Sequence, residues 1–383
     1  MTTSVTDAAP SRADLSWAGQ RRLLPTGTPL ALLGPEGQPV HCTSLDMPGD
    51  DVLVGLHRQM VLGRRFDTQA TALTKQGRLA VYPSARGQEA GEIGAVAALR
   101  PQDWLFPTYR DSMAIVARGV DPVEALMLLR GDWHCGYDPY AHRVAPQCTP
   151  LATNAPHAVG LAHAARLKGE DTVALVMLGD GATSEGDTHA ALNFAAVWNS
   201  PVVFFVQNNG YAISVPVAKQ TAAPSLAHKG VGYGIPGRLV DGNDPAAVYA
   251  VVRQAVESAA GGAGPTLIEA LTYRIEAHTN ADDAARYRPQ AEVQKWLGRD
   301  PVTRLRQYLL DRGLLDGAVL SALDAEAEAQ AGDLRRRMNA GTVPDPADLF
   351  RFVYAAPTPE LRRQQRQLAA ELEELSDEAG EMR

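Results

Sequence analysis

Several residue types and patterns that mark common classes of protein are scarce in this chain. Its 383 residues include only three cysteines, Cys42, Cys135 and Cys148, with no CxxC pair, so neither a disulfide framework nor a zinc site is expected. No apolar run reaches the roughly 18 residues that a bilayer-spanning helix requires, so we expect no membrane segment. The opening residues MTTSVTDAAPSRADLSW carry acids and no apolar core. We therefore expect no secretory or mitochondrial leader and a cytoplasmic location.

Charge and composition further limit the class of protein to which the chain could belong. The formal net charge is −8 and there is no basic block, so a nucleic-acid partner is not expected, although a small anionic ligand needs only local donors. Apolar residues make up 45% of the chain, which is enough for a sizeable core. No internal repeat is visible. The length suits one large α/β domain with additions or two modest domains.

The first third of the sequence predicts an irregular arm followed by helices. Residues 1–50 are rich in proline, glycine, threonine and serine, and one short strand is predicted in them, at PLALLG. Apolar spacing predicts a helix from Asp51 to about Leu73 and a second in GQEAGEIGAVAALRP. A third is predicted in DPVEALMLLRG, with Asp121 as the N-cap and Pro122 as the first helical residue.

The middle of the chain alternates between strand and helix patterns. The strands TVALVML, PVVFFVQ, GRLVDG and PTLIEALTYR are separated by helical segments such as SEGDTHAALNFAAVWN and PAAVYAVVRQAVESAA. Strands that are apolar throughout and alternate with helices predict an α/β fold, with a mostly parallel sheet covered by helices on both faces. Ligands of such sheets bind at the carboxyl ends of the strands.

The remainder of the chain, from about Pro301, is predicted to be helical and charged. We expect three parts: an irregular N-terminal arm over 1–50, an α/β domain over 51–345 and a helical tail over 346–383. The final helix would either pack on its own domain or contact another subunit. It carries an apolar stripe of four leucines, Leu361, Leu368, Leu372 and Leu375.

Polar residues follow two of the predicted strands at the point where each strand ends. Gly179, Asp180 and Gly181 follow one strand, and Asn208 and Asn209 follow the next, with one helix and one strand between them. A right-handed crossover of that length brings both ends to the same edge of the sheet. A carboxylate, an amide oxygen and a backbone carbonyl suit Mg²⁺, which commonly shares its other positions with phosphate oxygens. The glycines would let a diphosphate approach the backbone.

Each of these motifs has a simpler interpretation when it occurs alone. Gly-Asp-Gly is usually a tight turn, and Asn-Asn-Gly is usually a loop or hairpin turn. Their combination at the ends of two buried strands favours a metal-bridged diphosphate site. Ser184 is predicted to begin the helix after Asp180, with Asp187 at capping-box spacing, and that helix N-terminus would favour an anion.

A third glycine pattern, GYGIPG, matches the dinucleotide-binding fingerprint through Gly232, Gly234 and Gly237. It precedes a predicted strand instead of opening a helix, and Pro236 lies inside it. We therefore predict a loop at this position. The absence of a strand-then-helix glycine fingerprint argues against a nicotinamide-dependent dehydrogenase.

The spacing from GDG to NN resembles the thiamine diphosphate motif. The segment GDGATSEGDTHAALNFAAVWNSPVVFFVQNNGYAIS resembles the E1 α subunits of bacterial 2-oxo acid dehydrogenase complexes of the branched-chain or pyruvate type. The resemblance covers residues from about 50 to 350 and includes GQEA, TYRD, PLAT, VDGND, GPTLIEALTYR and AHTNADDAARYR. It implies a thiamine diphosphate-binding fold, in which this chain is the diphosphate-binding module with a helical C-terminal tail.

The resemblance also implies a set of cofactor-binding residues. Asp180, Asn209 and the backbone carbonyl of Tyr211 would hold Mg²⁺. Tyr109 and Arg110 would meet the diphosphate, and an arginine is well suited to bind it through two hydrogen bonds. The other cofactor-binding positions that it implies are Thr149, Leu151, Gly179, Gly181, Ala182, Gln207 and His278.

Two of these positions carry additional expectations. His278 would lie on a mobile loop near the reacting carbon and is the one catalytic residue expected, because its imidazole can supply a proton or a hydrogen bond. Thr279 occupies the place of a regulatory serine in mammalian relatives, and no regulation is inferred from it. Gln207 stands where some relatives have an arginine, so one cationic contact to the phosphates would be missing.

Some relatives also bind a potassium ion in the loop that here reads CTPLATNAP. The corresponding residues would be Cys148, Pro150, Thr153 and Asn154. A cysteine side chain is a poor ligand for potassium, which argues against this ion.

The activity implied is oxidative decarboxylation of a 2-oxo acid and reductive acylation of the lipoyl group of an E2 acyltransferase. A self-contained enzyme of this type needs about 550 residues at ordinary domain sizes, so we expect an α₂β₂ assembly with an E1 β subunit that supplies the activating glutamate. The isolated chain is expected to be inactive. SEGD and QNNGYAIS favour branched-chain acids, with a pyruvate dehydrogenase E1 α subunit as one alternative and a non-catalytic subunit as another.

Overall fold

The fold is built around a sheet of five parallel strands. A computed structural model describes residues 22–132, 135–340 and 345–381, with side chains described up to residue 375. The strands run in the order β1-β2-β3-β7-β6, all parallel, and a two-residue antiparallel pair, β4 and β5, follows β3. The strands are β1 (Trp104–Phe106), β2 (Ala174–Gly179), β3 (Val202–Asn208), β4 (Tyr211–Ala212), β5 (Val215–Pro216), β6 (Gly237–Asp241) and β7 (Thr266–Leu271).

Helices precede, connect and follow these strands. The helices in the first half of the chain are α1 (Asp50–Lys75), α2 (Glu89–Ala97), α3 (Ser112–Ala117), α4 (Pro122–Ala125), α5 (Met127–Arg130), α6 (Pro139–His142) and α7 (Asn154–Lys168). The later ones are α8 (Gly186–Val197), α9 (Pro245–Ala260), α10 (Gln290–Leu297), α11 (Pro301–Asp311), α12 (Gly317–Ala340), α13 (Asp348–Arg351) and α14 (Pro359–Glu381).

The central strands are buried on both faces, as their unbroken apolar sequences predict. Every residue of β3 is buried. Successive side chains of a strand point to opposite faces. Phe204 lies in a cluster with alanines of α7 and α8, whereas Phe205 faces the helix α2, close to Gly91. The prediction of a mostly parallel sheet between two helical layers is therefore confirmed.

Most predicted elements are present with small changes at their ends. Helix α9 begins at Pro245, because the Asp244 carboxylate accepts hydrogen bonds from two backbone N–H groups of its first turn. The Asp121 cap is also confirmed, but the helix after it divides at Leu126 into α4 and α5. The strand predicted at PLALLG is reduced to two isolated bridges: Leu30 pairs with Val240 of β6 at the sheet edge, and Leu33 pairs with Pro39.

The predicted capping box at Ser184 is wrong. Residues Gly181–Ser184 form a 3₁₀ turn, in which the Thr183 N–H and hydroxyl both donate to the Asp180 carbonyl. This turn delays the start of α8 to Gly186, with Glu185 as the N-cap and no side-chain cap. The Ser184 hydroxyl therefore lies before the helix, too early to cap it.

The GYGIPG segment does not have the geometry of a dinucleotide site. Gly232 lies in a 3₁₀ turn, Leu226–Tyr233, and Gly234 ends this turn with a φ of 76°. Gly237 then begins β6, as the sequence predicts. No α-helix opens at this pattern, and the predicted loop is confirmed only for residues 234–236, between the 3₁₀ turn and β6.

The chain divides into two compact units, residues 1–336 and residues 337–383. The first contains the whole sheet, and the second contains α14, where Leu361 is buried and Leu375 is exposed. The division into 1–50, 51–345 and 346–383 stays a prediction. None of the helices in the described ranges is both long and apolar enough to cross a membrane.

Candidate active site

A cleft of about 190 Å³ opens at the carboxyl edge of the sheet, where β2 and β3 end. These strands are hydrogen-bonded neighbours with Gly179 opposite Gln207, so the residues that follow them emerge side by side, as predicted. Thr149 is the one predicted cofactor residue that does not line the cleft. Those that do line it are Tyr109, Arg110, Leu151, Gly179, Asp180, Gly181, Ala182, Gln207, Asn209, Tyr211 and His278.

The carboxylate of Asp180 lies at the end of β2 and is only 1% exposed. Its Oδ2 accepts a hydrogen bond of 2.6 Å from the Gln220 side chain. Burial raises the pKa of this carboxyl group, and the hydrogen bonds and the positive charge of Arg274 oppose that rise only in part. A cation placed beside this buried carboxylate would lower the free energy of its ionised form.

The glycine after Asp180 is required by close packing. A Cβ atom built at Gly181 would lie 2.7 Å from the Cβ of Ala212 in β4, a separation that real Cβ atoms do not tolerate. At Gly179 nothing lies within 4 Å of the corresponding position. Gly181 therefore allows the end of β2 to pack closely against β4, whereas the space beside Gly179 is open to a ligand.

The two asparagines at the end of β3 point in different directions. The Nδ2 of Asn208 donates to the buried Glu269 carboxylate at 2.7 Å, away from the cleft. Asn209 lines the cleft; its Nδ2 donates to Gln88 Oε1 at 3.1 Å and its Oδ1 accepts from the Tyr211 N–H at 3.2 Å. Only the second asparagine is therefore placed to act in the cleft, as the sequence predicts.

The opposite side of the cleft is cationic. The Arg110 guanidinium donates to the carbonyl oxygen of Ser84 at 2.7 Å and to that of His278 at 3.0 Å. Arg274 donates to the Ile213 carbonyl at 2.8 Å and to the Tyr287 hydroxyl at 2.9 Å. All four partners are neutral oxygen atoms. In these hydrogen bonds, therefore, neither guanidinium is neutralised by a carboxylate.

His278 lies between these two arginines. Its Nδ1 is 3.1 Å from Arg110 and 3.3 Å from Arg274. Because guanidinium groups only donate, Nδ1 must accept, and the proton of the neutral ring is on Nε2. Burial and the two positive charges lower the pKa of His278 to about 4, and the Asp282 carboxylate opposes this shift. At neutral pH the ring is therefore uncharged and offers an Nε2–H donor.

The loop that binds potassium in some relatives is engaged in local contacts. The Cys148 thiol donates to the Pro150 carbonyl at 3.1 Å. The Nδ2 of Asn154 donates to the carbonyl of Met177 at 2.9 Å and to two carbonyls near β1. Thr149 is exposed on this loop. These contacts tie the loop to the ends of β1 and β2.

Comparison with known proteins identifies the family to which the chain belongs. The model of the dehydrogenase E1 component family matches residues 57–346. The α subunit of 3-methyl-2-oxobutanoate dehydrogenase from Mycobacterium tuberculosis (strain ATCC 25618 / H37Rv) is 48% identical over 346 residues, which cover 90% of this chain and 94% of that protein. The chain belongs to the dehydrogenase E1 component family.

Other relatives carry names of both substrate types. The α subunit of 2-oxoisovalerate dehydrogenase from Bacillus subtilis (strain 168) is 35% identical, over 80% of this chain and 96% of that protein. The α subunit of the pyruvate dehydrogenase E1 component from Acholeplasma laidlawii is 35% identical, over 82% and 92%. The predicted family, an E1 α subunit of a 2-oxo acid dehydrogenase, is thus confirmed. Dehydrogenases of this E1 family depend on thiamine diphosphate, and their α subunits work with a β subunit and an E2 component.

Sequence reasoning missed part of this E1 cleft, and Arg274 is the most important omission. Its signal is a repeated tripeptide: Thr-Tyr-Arg occurs at 108–110 before the first cleft arginine and again at 272–274, directly after β7. The second cation of the cleft comes from this position and not from residue 207. The other lining residues that were missed are Gln88, Thr108, Glu185, Ala212 and Ile213.

Proposed function

We propose that this chain is the α subunit of a branched-chain 2-oxo acid dehydrogenase, and that its cleft binds the Mg²⁺–diphosphate end of thiamine diphosphate. The observation that carries the proposal is the meeting, in one cleft, of a buried carboxylate and amide on strand ends with two arginines on loops. Oxygen ligands suit Mg²⁺, and guanidinium groups suit a diphosphate.

The residues present fit this cofactor. Burial raises the pKa of Asp180, and a divalent cation beside the carboxylate would oppose that rise by favouring the ionised form. Across the cleft, the buried Nε of Arg274 has no hydrogen-bond partner among the described residues. In the described part of the chain there is no group of three or more His, Cys, Asp or Glu side chains that could hold a metal by themselves. A site with one carboxylate, one amide oxygen and one carbonyl therefore needs phosphate oxygens to complete its shell.

Each side of the cleft then has a distinct task. Asp180, the Asn209 amide oxygen and the Tyr211 carbonyl would hold the metal, and Arg110 and Arg274 would bind phosphate oxygens. When bound, thiamine diphosphate supplies the carbanion chemistry that removes carbon dioxide from a 2-oxo acid. The neutral ring of His278 would present its Nε2–H to the reacting groups as a hydrogen-bond donor.

The second half of the enzyme is proposed to come from a β subunit in an α₂β₂ assembly. Among the described residues, the first unit of this chain contains one parallel sheet and one set of its strand ends, which would serve the diphosphate. The aminopyrimidine needs a glutamate that the resemblance assigns to the β subunit. A lipoyl-bearing E2 would then accept the acyl group.

The substrate follows from the relatives. The Mycobacterium tuberculosis relative, at 48% identity, is named for 3-methyl-2-oxobutanoate, and this favours a branched-chain acid. The Acholeplasma laidlawii relative, at 35% identity, is named for pyruvate. Pyruvate is therefore the second candidate.

The test is turnover by the chain co-expressed with its β subunit, followed with an artificial electron acceptor. We expect thiamine diphosphate- and Mg²⁺-dependent oxidation with the highest kcat/KM for 3-methyl-2-oxobutanoate or 4-methyl-2-oxopentanoate. The isolated α chain serves as the control and should be inactive. A preference for pyruvate would instead identify the chain as the α subunit of a pyruvate dehydrogenase. Failure of the assembled pair to bind the cofactor would overturn the proposal.

A further inference from the structure

Three residues that line the cleft and the buried Asp111 form a continuous line of hydrogen bonds through their side chains. Asp111 Oδ1 accepts from Gln207 Nε2 at 2.6 Å, Gln207 Oε1 accepts from Gln88 Nε2 at 3.0 Å, and Gln88 Oε1 accepts from Asn209 Nδ2 at 3.1 Å. All four residues are buried. We refer to this line of Asp111, Gln207, Gln88 and Asn209 as the amide relay.

The amide relay has a direction, and Asp111 sets it. A carboxylate oxygen that faces an amide accepts, so Gln207 must turn its NH₂ group to Asp111 and its oxygen to Gln88. Gln88 must then donate to Gln207 and present its own oxygen to Asn209. The result is that the NH₂ group of Asn209 is used inside the protein.

Contacts at both ends of the amide relay support the same direction. The other carboxylate oxygen of Asp111 accepts from the backbone N–H and the hydroxyl of Thr108, both at 2.6 Å. The Tyr211 N–H, which can only donate, is 3.2 Å from Asn209 Oδ1. The orientation of each amide is thus fixed by groups whose role as donor or acceptor is unambiguous.

We propose that Asp111, acting through Gln207 and Gln88, is a positioning residue that keeps the Asn209 amide oxygen turned toward the metal position of the cleft. The proposal rests on the proposed function for the identity of the metal site, while the direction of the relay rests on the hydrogen bonds alone. None of the three relay residues behind Asn209 needs to touch the metal.

Asn208 provides an internal comparison for this role. Its amide is held by a single buried acid, Glu269, whose second oxygen accepts from the Ala227 N–H at 2.8 Å. The arrangement repeats the chemistry of the Asp111 end of the relay but orients an amide that points away from the cleft. Glu269→Gln is therefore a matched control for Asp111→Asn.

Asp111→Asn should reverse the amide relay without changing its shape. The Thr108 N–H still requires an oxygen, so the new NH₂ group would face Gln207 in place of Oδ1. Gln207 and Gln88 would each have to turn, and Asn209 would then present its NH₂ group to the metal. If Asn209 does not turn, two N–H groups face each other within the buried line, which is costly.

A second substitution should restore the direction. In Asp111→Asn/Gln207→Glu, the carboxylate moves one place along the relay with no change in net charge. Both oxygens of the carboxylate introduced at position 207 would accept, one from the new amide and one from Gln88, so Gln88 again turns its oxygen to Asn209. A role for Asp111 that depends only on its packing predicts no such rescue, and a role that depends only on its charge predicts no effect of Gln207→Met, which interrupts the line and keeps the carboxylate.

The experiment measures metal binding to the α₂β₂ assembly, which is prepared without metal and then saturated with thiamine diphosphate. Mn²⁺ serves as the probe and is followed by electron paramagnetic resonance. We expect Asp111→Asn to weaken Mn²⁺ binding by about 10- to 100-fold, the usual effect of residues that orient a metal ligand. The double variant should recover most of the loss, and Glu269→Gln should leave the affinity unchanged.

The outcomes separate this inference from the proposed function. Absence of thiamine diphosphate-dependent Mn²⁺ binding in the unsubstituted enzyme would refute the proposed function itself. Normal Mn²⁺ affinity in Asp111→Asn, or a double variant no better than the single one, would overturn the relay. If Asp111→Asn does not assemble, Gln207→Met interrupts the line without altering any charge. Unchanged Mn²⁺ affinity in that variant would equally overturn the relay.

Discussion

The two walls of the cleft are built in different ways. The sheet wall, formed by Asp180, Asn209 and Tyr211, lies at the ends of β2 and β3 and the start of β4. The loop wall, formed by Arg110, Arg274 and His278, consists of nitrogen-bearing side chains outside the strands and helices. Strand pairing positions the first wall, whereas hydrogen bonds between side chains and loop carbonyls position the second.

This difference in construction implies a difference in tolerance. Atoms of the sheet wall are placed by a backbone ladder that extends through the core, so a substitution there removes a ligand and leaves the frame intact. Groups of the loop wall hold each other, since Arg110 contacts both the ring and the carbonyl of His278. Loss of one member should therefore alter its neighbours as well.

The largest effect is expected at the sheet wall, from Asp180→Asn. This change keeps the shape but removes the one carboxylate from the metal site, so kcat should fall by more than the roughly 100-fold typical of residues behind a metal ligand. The measurement is kcat with saturating thiamine diphosphate, together with Mn²⁺ affinity. The exposed Asp187 on α8 provides the matched control, Asp187→Asn. Equal activity in the two variants would remove Asp180 from the site.

A smaller effect, on affinity more than on rate, is expected at the loop wall from Arg110→Met. Hydrogen bonds to charged groups contribute about 1.5–3 kcal/mol each, so the Kd for thiamine diphosphate should rise by roughly 10- to 100-fold. Arg86→Met is the control, because Arg86 forms a half-exposed ion pair with Glu276 at the surface. A titration of the α₂β₂ assembly with cofactor distinguishes them. A Kd that rises equally in both would contradict a specific role for Arg110.

The coupling within the loop wall is open to a pH titration. The pKa of His278 is about 4 because burial and two arginines disfavour the charged ring. We therefore expect its NMR ring signals in cofactor-free enzyme to stay constant from pH 8 to about 5. Arg110→Met removes one of the two positive charges, so the pKa should rise toward the ordinary 6.5. A pKa of His278 that stays near 4 in this variant would show that burial and Arg274 set it without Arg110.

The smallest effect is expected from Tyr211→Phe. In the proposed site, Tyr211 would contribute only its backbone carbonyl, because its hydroxyl donates to Glu292 at 2.9 Å. Loss of this hydrogen bond should cost stability by about 1 kcal/mol and leave Mn²⁺ affinity unchanged. Thermal unfolding and metal binding measure the two quantities separately. A large loss of metal affinity would mean that the side chain, and not the backbone, acts at the site.

The sheet wall was predictable from sequence because it depends on short-range patterns. Apolar runs define β2 and β3, their spacing defines a single crossover, and the polar residues at each end are then neighbours. The same logic gave α9 with its correct ends. What the sequence added through family resemblance was the choice of Asn209 over Asn208, which the opposite directions of the two side chains now explain.

The loop wall and the amide relay were not predictable in the same way. Asp111 and Gln207 are 96 residues apart, and no local pattern indicates that they touch. Gln207 was interpreted as the place of a missing cation, whereas it is a link in the relay, and Arg274 supplies the second positive charge. The prediction of a capping box at Ser184 was wrong for a local reason. The 3₁₀ turn Gly181–Ser184 follows Asp180, so the helix begins only at Gly186.

The two arginines of the loop wall have a thermodynamic consequence for loading of the enzyme. The carboxylates of Asp180 and Glu185 balance the guanidinium groups of Arg110 and Arg274 in the lining, so the empty cleft carries little net charge. A divalent metal alone would give the cleft an excess of positive charge, and a diphosphate alone would give it an excess of negative charge, whereas both together keep it close to neutrality. Each ligand should therefore tighten the binding of the other by the same factor. Titrations carried out in either order should reveal this reciprocity.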